Sequence, residues 1–131
     1  MKRALSIIAV LALVAVMVVA LVACIPSDYE KAASNLKEAG YTTTVARATD
    51  GFGVQYSLEA TYGDGCIASV GGARISENDG GMITLVYFDS ADHAKAYWDT
   101  IKDKELDEGW KAARSGKVVY VGTEAAIKAV G

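Results

Sequence analysis

The chain has 131 residues, room for one domain plus a targeting segment. Its 13 basic and 16 acidic side chains become 11 and 16 once Lys2 and Arg3 are set apart, a net charge of −5 for the remainder. A domain of that sign has no electrostatic footprint for a phosphate backbone, and its aromatics do not alternate with arginines, which sets nucleic acid aside as a partner.

Lys2 and Arg3 open the chain, and Ala4 to Ala23 follow with no charge and one polar residue, Ser6. A charged start, an apolar run and small residues before a cut make a secretory signal. The run ends in Leu21-Val22-Ala23-Cys24, which resembles the lipobox of bacterial lipoproteins: aliphatic, tolerant, small, then cysteine. The resemblance covers the leader alone. It implies a diacylglyceryl group on the Cys24 thiol, cleavage between Ala23 and Cys24, and a fatty acid such as palmitate on the new amine. Residues 1–23 would then be signal peptide, and 24–131 a single extracytoplasmic domain large enough for a core without metals or disulfides. Twenty apolar residues at about 1.5 Å each also match a hydrocarbon layer of about 30 Å, so an uncleaved signal anchor is the alternative. Both readings leave Lys2 and Arg3 inside and the domain outside, at the cell membrane. Two or three acyl chains, at about 0.8 kcal/mol per buried CH₂, would hold the protein as durably as a spanning helix. Only Ile25 and Pro26 separate Cys24 from a predicted helix cap at Ser27, so the tether is short.

Ser27-Asp28-Tyr29-Glu30 reads as a capping box, with Ser27 accepting from the Glu30 N–H and the Glu30 carboxylate reaching back. Tyr29, Ala32, Ala33, Leu36 and Ala39 follow at helical spacing, and Gly40 supplies the stop, so the first helix spans about 28 to 39. Tyr41 to Arg47 is rich in β-branched residues and predicts a strand. Phe52, Val54, Tyr56 and Leu58 alternate with small or polar residues, which favours a second strand, although Gln55 to Tyr62 holds good helix formers and can make a short helix instead. The Gly63-Asp64-Gly65 and Asn78-Asp79-Gly80-Gly81 turns bracket strands at Cys66–Gly71 and Met82–Phe88, expected to pair as an antiparallel hairpin. Asp89 or Ser90 caps a helix over 91–108 with Ala94, Tyr97, Trp98, Ile101 and Leu106 on its core side, and Gly109 stops it. Lys117 to Val121 is a last strand, and Thr123 caps a helix holding Ile127 and Val130. The predicted class is α+β, in the order α-β-β-β-β-α-β-α, with helices on one face of a mostly antiparallel sheet. Phe88 leading through a cap into a helix and then a strand resembles half of a ferredoxin-like unit. Asp28-Tyr29-Glu30-Lys31, Leu36-Lys37-Glu38-Ala39-Gly40-Tyr41 and Val119-Tyr120-Val121-Gly122-Thr123 resemble stretches of small bacterial lipoproteins, a resemblance that implies no activity.

Chemical motifs are few. With Cys24 carrying lipid, Cys66 is left as a lone thiol, read as a small buried strand residue. His93 is the single histidine, with Asp89 one turn before it and Tyr97 one turn after; it reads as a solvated first-turn residue, and a Cys66/His93 nucleophile pair has no orienting third group. Asp103, Glu105 and Asp107 alternate like a calcium loop, but Glu108 stands where its glycine belongs and Arg114 where its glutamate belongs. Gly116-Lys117 and Gly51-Phe52-Gly53 lack the rest of a phosphate-binding or dinucleotide motif and read as turns. Trp110, placed after a helix end near Lys111 and Arg114, is the leading choice for a surface aromatic at an interface or membrane edge. No catalytic residues and no metal or cofactor are predicted beyond the lipid on Cys24. The functional expectation is a membrane-anchored lipoprotein serving as a binding module for an envelope protein or a small ligand. The alternatives are a signal-anchored subunit of an envelope complex and a small surface enzyme.

Overall fold

Asp28, in extended conformation, opens helix α1 (Tyr29–Glu38) by accepting from the Glu30 N–H at 2.9 Å, an interaction worth about 1 kcal/mol. The computed structural model describes residues 25–75 and 80–131; the leader with Ala23 and Cys24, and the Asn78-Asp79 part of a predicted turn, lie outside the described residues. The cap therefore sits one residue beyond Ser27. Glu30 does not reach back to complete the predicted box, because its carboxylate faces the Arg47 guanidinium at 3.6 Å. At the other end Gly40 takes φ +88, and the N–H groups of Gly40 and Tyr41 donate to the carbonyls of Lys37 and Leu36. This paired closure needs a residue that tolerates a left-handed backbone, and it brings Tyr41 back over Leu36. The Arg74 guanidinium donates to the Ala39 carbonyl at 2.9 Å and lies over the Tyr41 ring.

Strand β1 (Thr42–Arg47) leads through a 3₁₀ turn (Ala48–Asp50) into helix α2 (Phe52–Tyr62), where the alternating pattern had favoured a strand. The shorter helical alternative was correct in kind. Residues two apart on a helix point about 200° apart, so alternation here separates a buried line from an exposed one. Leu58 is buried and Val54 and Tyr62 pack inward beside it, whereas Phe52 and Tyr56 are 84% and 69% exposed. Strand β2 (Cys66–Arg74) and strand β3 (Gly81–Phe88) form the expected antiparallel hairpin. Ser90 caps helix α3 (Ala91–Ile101), accepting from the His93 N–H at 3.2 Å. The helix ends about two turns before the predicted position 108, and Leu106 is exposed in the loop that follows. Strand β4 (Trp110–Ser115), which was not predicted, pairs with β5 (Val118–Thr123) through a two-residue turn whose Gly116 has φ +59. Helix α4 (Glu124–Val130) closes the described chain; Thr123 is its cap residue, but its hydroxyl accepts from the Met82 N–H at 3.3 Å instead of from the helix.

The five strands run β1-β2-β3-β5-β4, and every pair is antiparallel. With β5 lying antiparallel between them, β3 and β4 point the same way, so β3-α3-β4 is a split β-α-β unit. The class is α+β with an antiparallel sheet, as expected, but helices cover both faces and not one. Ile83, Leu85 and Tyr87 of β3 pack with Leu36, Ile127 and Val130 under α1 and α4, while Val86 and Phe88 pack with Leu58 and Ala94 under α2 and α3. Burial on both faces is the reason β3 is a nearly unbroken apolar run. A bulge in β2 serves both layers: Cys66 pairs with Phe88 and Ala68 with Tyr87, so the intervening Ile67 has no opposite number. Cys66 consequently joins the α2/α3 core, and Ala68 joins the α1/α4 core two residues later.

Candidate functional site

The feature that gathers polar chemistry is a cleft between the end of α2 and the start of α3. It is shaped by the Gly63-Asp64-Gly65 turn, in which Gly63 and Gly65 adopt φ of +107 and +79. The Asp89 N–H donates to the Gly65 carbonyl at 2.8 Å, drawing the start of α3 against the turn. A side chain at Gly65 would collide with the His93 ring and the Asp89 carboxylate, so this position must be glycine on grounds of space as well as backbone conformation. With Ser90 capping the helix, His93 falls on its first turn, and its Nδ1 lies 2.6 Å from Asp89 Oδ1. The resulting cleft has a volume of about 400 Å³ and is lined by Thr61, Tyr62, Asp64, His93, Tyr97 and Thr100 among others.

One wall is aromatic. Tyr62 meets Tyr97 edge-on with ring centres 5.5 Å apart, and Tyr97 leans on Phe88 at 5.8 Å. Burial raises the pKa values of both tyrosines above the ordinary phenol value, so they present neutral rings and hydroxyls. The opposite rim is charged. The hydrogen bond to Asp89, reinforced by the negative charges of Asp89, Asp64 and Asp92, raises the pKa of His93, while the same bond lowers that of Asp89. Neutral His93 donates Nδ1–H to Asp89 and keeps Nε2 as an acceptor; once protonated, Nε2 becomes a second donor. The arrangement can therefore hold a polar group at Nε2 against an aromatic floor, and its hydrogen-bonding character changes when His93 takes up a proton.

Cys66 lies behind this wall as a free, buried thiol, as expected for a strand residue. Burial pushes its pKa up to about 11, and its Sγ–H points to the Ala68 carbonyl at 3.8 Å. A thiol so rarely ionised is a poor nucleophile, and the ring bond of His93 goes to Asp89 and not to Cys66. Trp110 does not follow a helix: it begins the edge strand β4, half-buried and paired with Thr123. The aromatics that stand free are Phe52 and Tyr56, one turn apart on the outer side of α2, and the alternation that suggested a strand concealed them.

A second hollow, of about 480 Å³, lies on the other side of the sheet among Ile25, Pro26, Asp28, Lys31, Asn35 and Gly131. Here the chain entering the domain is held fast. Ile25 is only 9% exposed, the Tyr87 hydroxyl donates to the Pro26 carbonyl at 2.9 Å, and Asn35 ties α1 to the Val130 carbonyl at 2.9 Å. Among the described residues, no group of three or more His, Cys, Asp or Glu side chains is placed to hold a metal ion, and no helix is long and apolar enough to cross a membrane. No protein-family model, no curated protein and no solved structure matches the chain.

Proposed function

We propose that this protein is an extracytoplasmic lipoprotein, held to the cell membrane by lipid on Cys24, whose domain acts as a binding module through its α2/α3 side. The observation that carries the binding role is the unequal closure of the sheet. The α1/α4 helices bury more of their side chains and the hollow on that side lies where the chain enters the domain, whereas the α2/α3 side keeps the His93 cleft and leaves Phe52 and Tyr56 bare. Exposed aromatics on the helix whose end lines the cleft suit docking of an envelope protein or a small ligand, since rings contribute large contact area at little entropic cost. Support for the anchor is the run from Ala4 to Ala23 ending in Leu21-Val22-Ala23-Cys24.

Fatty-acid labelling of wild type and Cys24→Ala, read together with the size of the mature chain, tests the anchor. Labelling confined to the wild type, on a shortened chain, is expected; label persisting in the variant sinks the lipid reading, and an uncut wild-type chain turns it into a signal anchor. The His93–Asp89 pair favours a second reading, in which Nε2 of an oriented imidazole serves as the general base of a small surface enzyme. Turnover of a substrate that disappears in His93→Gln, with folding intact, would decide for that reading over pure binding.

A further inference from the structure

We infer that the α1/α4 side of the domain is a lipid-contacting face, lying on the phospholipid headgroups with the His93 cleft and the exposed α2 aromatics turned away from the bilayer. The inference rests on attachment through the leader and holds whether the leader is lipidated at Cys24 or retained as a helix. Its basis is where the tether stops. Cys24 is one peptide bond from Ile25, about 3.8 Å between Cα atoms, and Ile25 is already buried among α1 and α4 residues. Pro26 is fixed by the Tyr87 hydroxyl, and Tyr87 packs edge-on to Tyr29 at the start of α1. No slack is left between anchor and fold, so the surface around the entry point meets the headgroups as soon as the anchor is in place.

Charge supports the same orientation. Helix α1 with its cap carries Asp28, Glu30 and Glu38 against Lys31 and Lys37, and α4 carries Glu124 against Lys128, so that side is close to neutral. The α2/α3 side carries Glu59, Asp64, Asp89, Asp92 and Asp99 against Lys95 and Lys102. An anionic membrane repels the second side more than the first, within a Debye length of about 8–10 Å. The two sides are separated by the sheet and both helix layers, on the order of 20–30 Å. Contact with lipid at one side therefore leaves the other in water, beyond the reach of the headgroups.

The full, anchored chain in phosphatidylethanolamine–phosphatidylglycerol vesicles provides the test. Single exposed positions are labelled with a nitroxide through Lys31→Cys, Lys128→Cys, Tyr56→Cys and Lys95→Cys, in separate variants. Flotation with the vesicles is checked first: protein that does not float overturns the anchor and this orientation with it, whereas a Cys24→Ala chain of the same leader that floats equally overturns the lipid on Cys24 alone and leaves the orientation to be decided by the labels. For chains that float through the anchor, a water-soluble paramagnetic relaxant should reach the labels at Tyr56 and Lys95 several-fold better than those at Lys31 and Lys128. Equal access at all four positions, or the reverse order, overturns the orientation while leaving the anchor standing. A Gly/Ser spacer inserted between Cys24 and Ile25 should flatten the difference; a difference that survives the spacer means the tether does not set the orientation.

Discussion

Leu36 and Leu58 occupy opposite faces of one sheet, and their surroundings differ more than their burial does. Around Leu36, α1 and α4 bury Ala32, Ala33, Ala126, Ile127 and Val130, and Asn35 stitches the two helices together. Around Leu58, the helices α2 and α3 contribute only Leu58 itself and Ala94 to the fully buried set, with Tyr62, Tyr97, Trp98 and Ile101 half covered. The same sheet thus supports a closed layer built from small and branched residues and an open layer built from large rings. Small residues let a helix approach closely and shut the interface, whereas rings span a wider gap and leave space at their edges. The comparison teaches where the fold holds its stability, and it leaves the other layer free to carry a cleft. Local opening should be easiest in that second layer.

The sharpest test of this contrast is a pair of cavities. Leu36→Ala should cost about 4 kcal/mol and Leu58→Ala about 2–3 kcal/mol in urea unfolding, because the looser layer can collapse on the void. A larger loss at Leu58 would reverse the assignment of the two layers. Gly65→Ala comes next, at about 2–3 kcal/mol, from a left-handed backbone at φ +79 together with displacement of His93 and Asp89. Its stability should recover little when His93→Ala is added, since the backbone cost remains; full recovery would assign the whole penalty to crowding. Tyr87→Phe removes the hydrogen bond to Pro26 and should cost about 1 kcal/mol, with hydrogen exchange quickening at the start of α1 and unchanged in α3. Replacing Phe52 and Tyr56 by serine should change stability by no more than about 0.5 kcal/mol, as expected for side chains that touch little. A larger loss there would show that the open layer depends on those rings.

The electrostatic test concerns pH. The raised pKa of His93 contributes stability that is complete below its unfolded value of about 6.5 and is lost as pH rises through the folded value. The lowered pKa of Asp89 contributes stability above about 3.9 that is lost as pH falls through its own folded value. The pair therefore supports the fold most between about pH 4 and 6.5. NMR titration of the His93 ring should give a midpoint above about 6.5 in the wild type, returning toward it in Asp89→Asn. Identical midpoints in the two proteins would dissolve the pair.

Much of the architecture is written locally. The acceptor before α1, the glycine after it, the β-branched β1, the β2–β3 hairpin, the Ser90 cap and the strand leading into Ile127 all state their roles within a few residues. Three elements do not. The α2 sequence alternates because its helix has one buried line and a bare opposite side, which two-residue periodicity cannot distinguish from a strand. Strand β4 reads as polar and unremarkable, and it exists because glycines at 109 and 116 turn the chain on either side and β5 offers it an edge. The run after Ile101 has helix-forming residues as far as Glu108, but Leu106 has no core to reach, so nothing holds a further turn. At the cleft, Asp89 was visible four residues before His93. Asp64, the tyrosine wall and the fit over Gly65 come from tertiary placement and leave no mark in spacing. The expectation that helices cover a single face failed for a related reason: Cys66, Ala68 and Val70 look like one alternating row.

Ile67 breaks that row. By occupying a place with no partner across the ladder, it acts within the strand as an inserted letter acts within a reading frame: positions after it are read by one core, and the position before it by the other. Deleting that single residue would restore ordinary alternation, with Cys66 next to Ala68, opposite Phe88 and still among the rings of the open layer. Keeping Ile67 but pairing it with Phe88 would instead put Ile67 in that layer and turn Cys66 toward the tether side, exchanging the allegiance of the strand's first residue without altering any side chain.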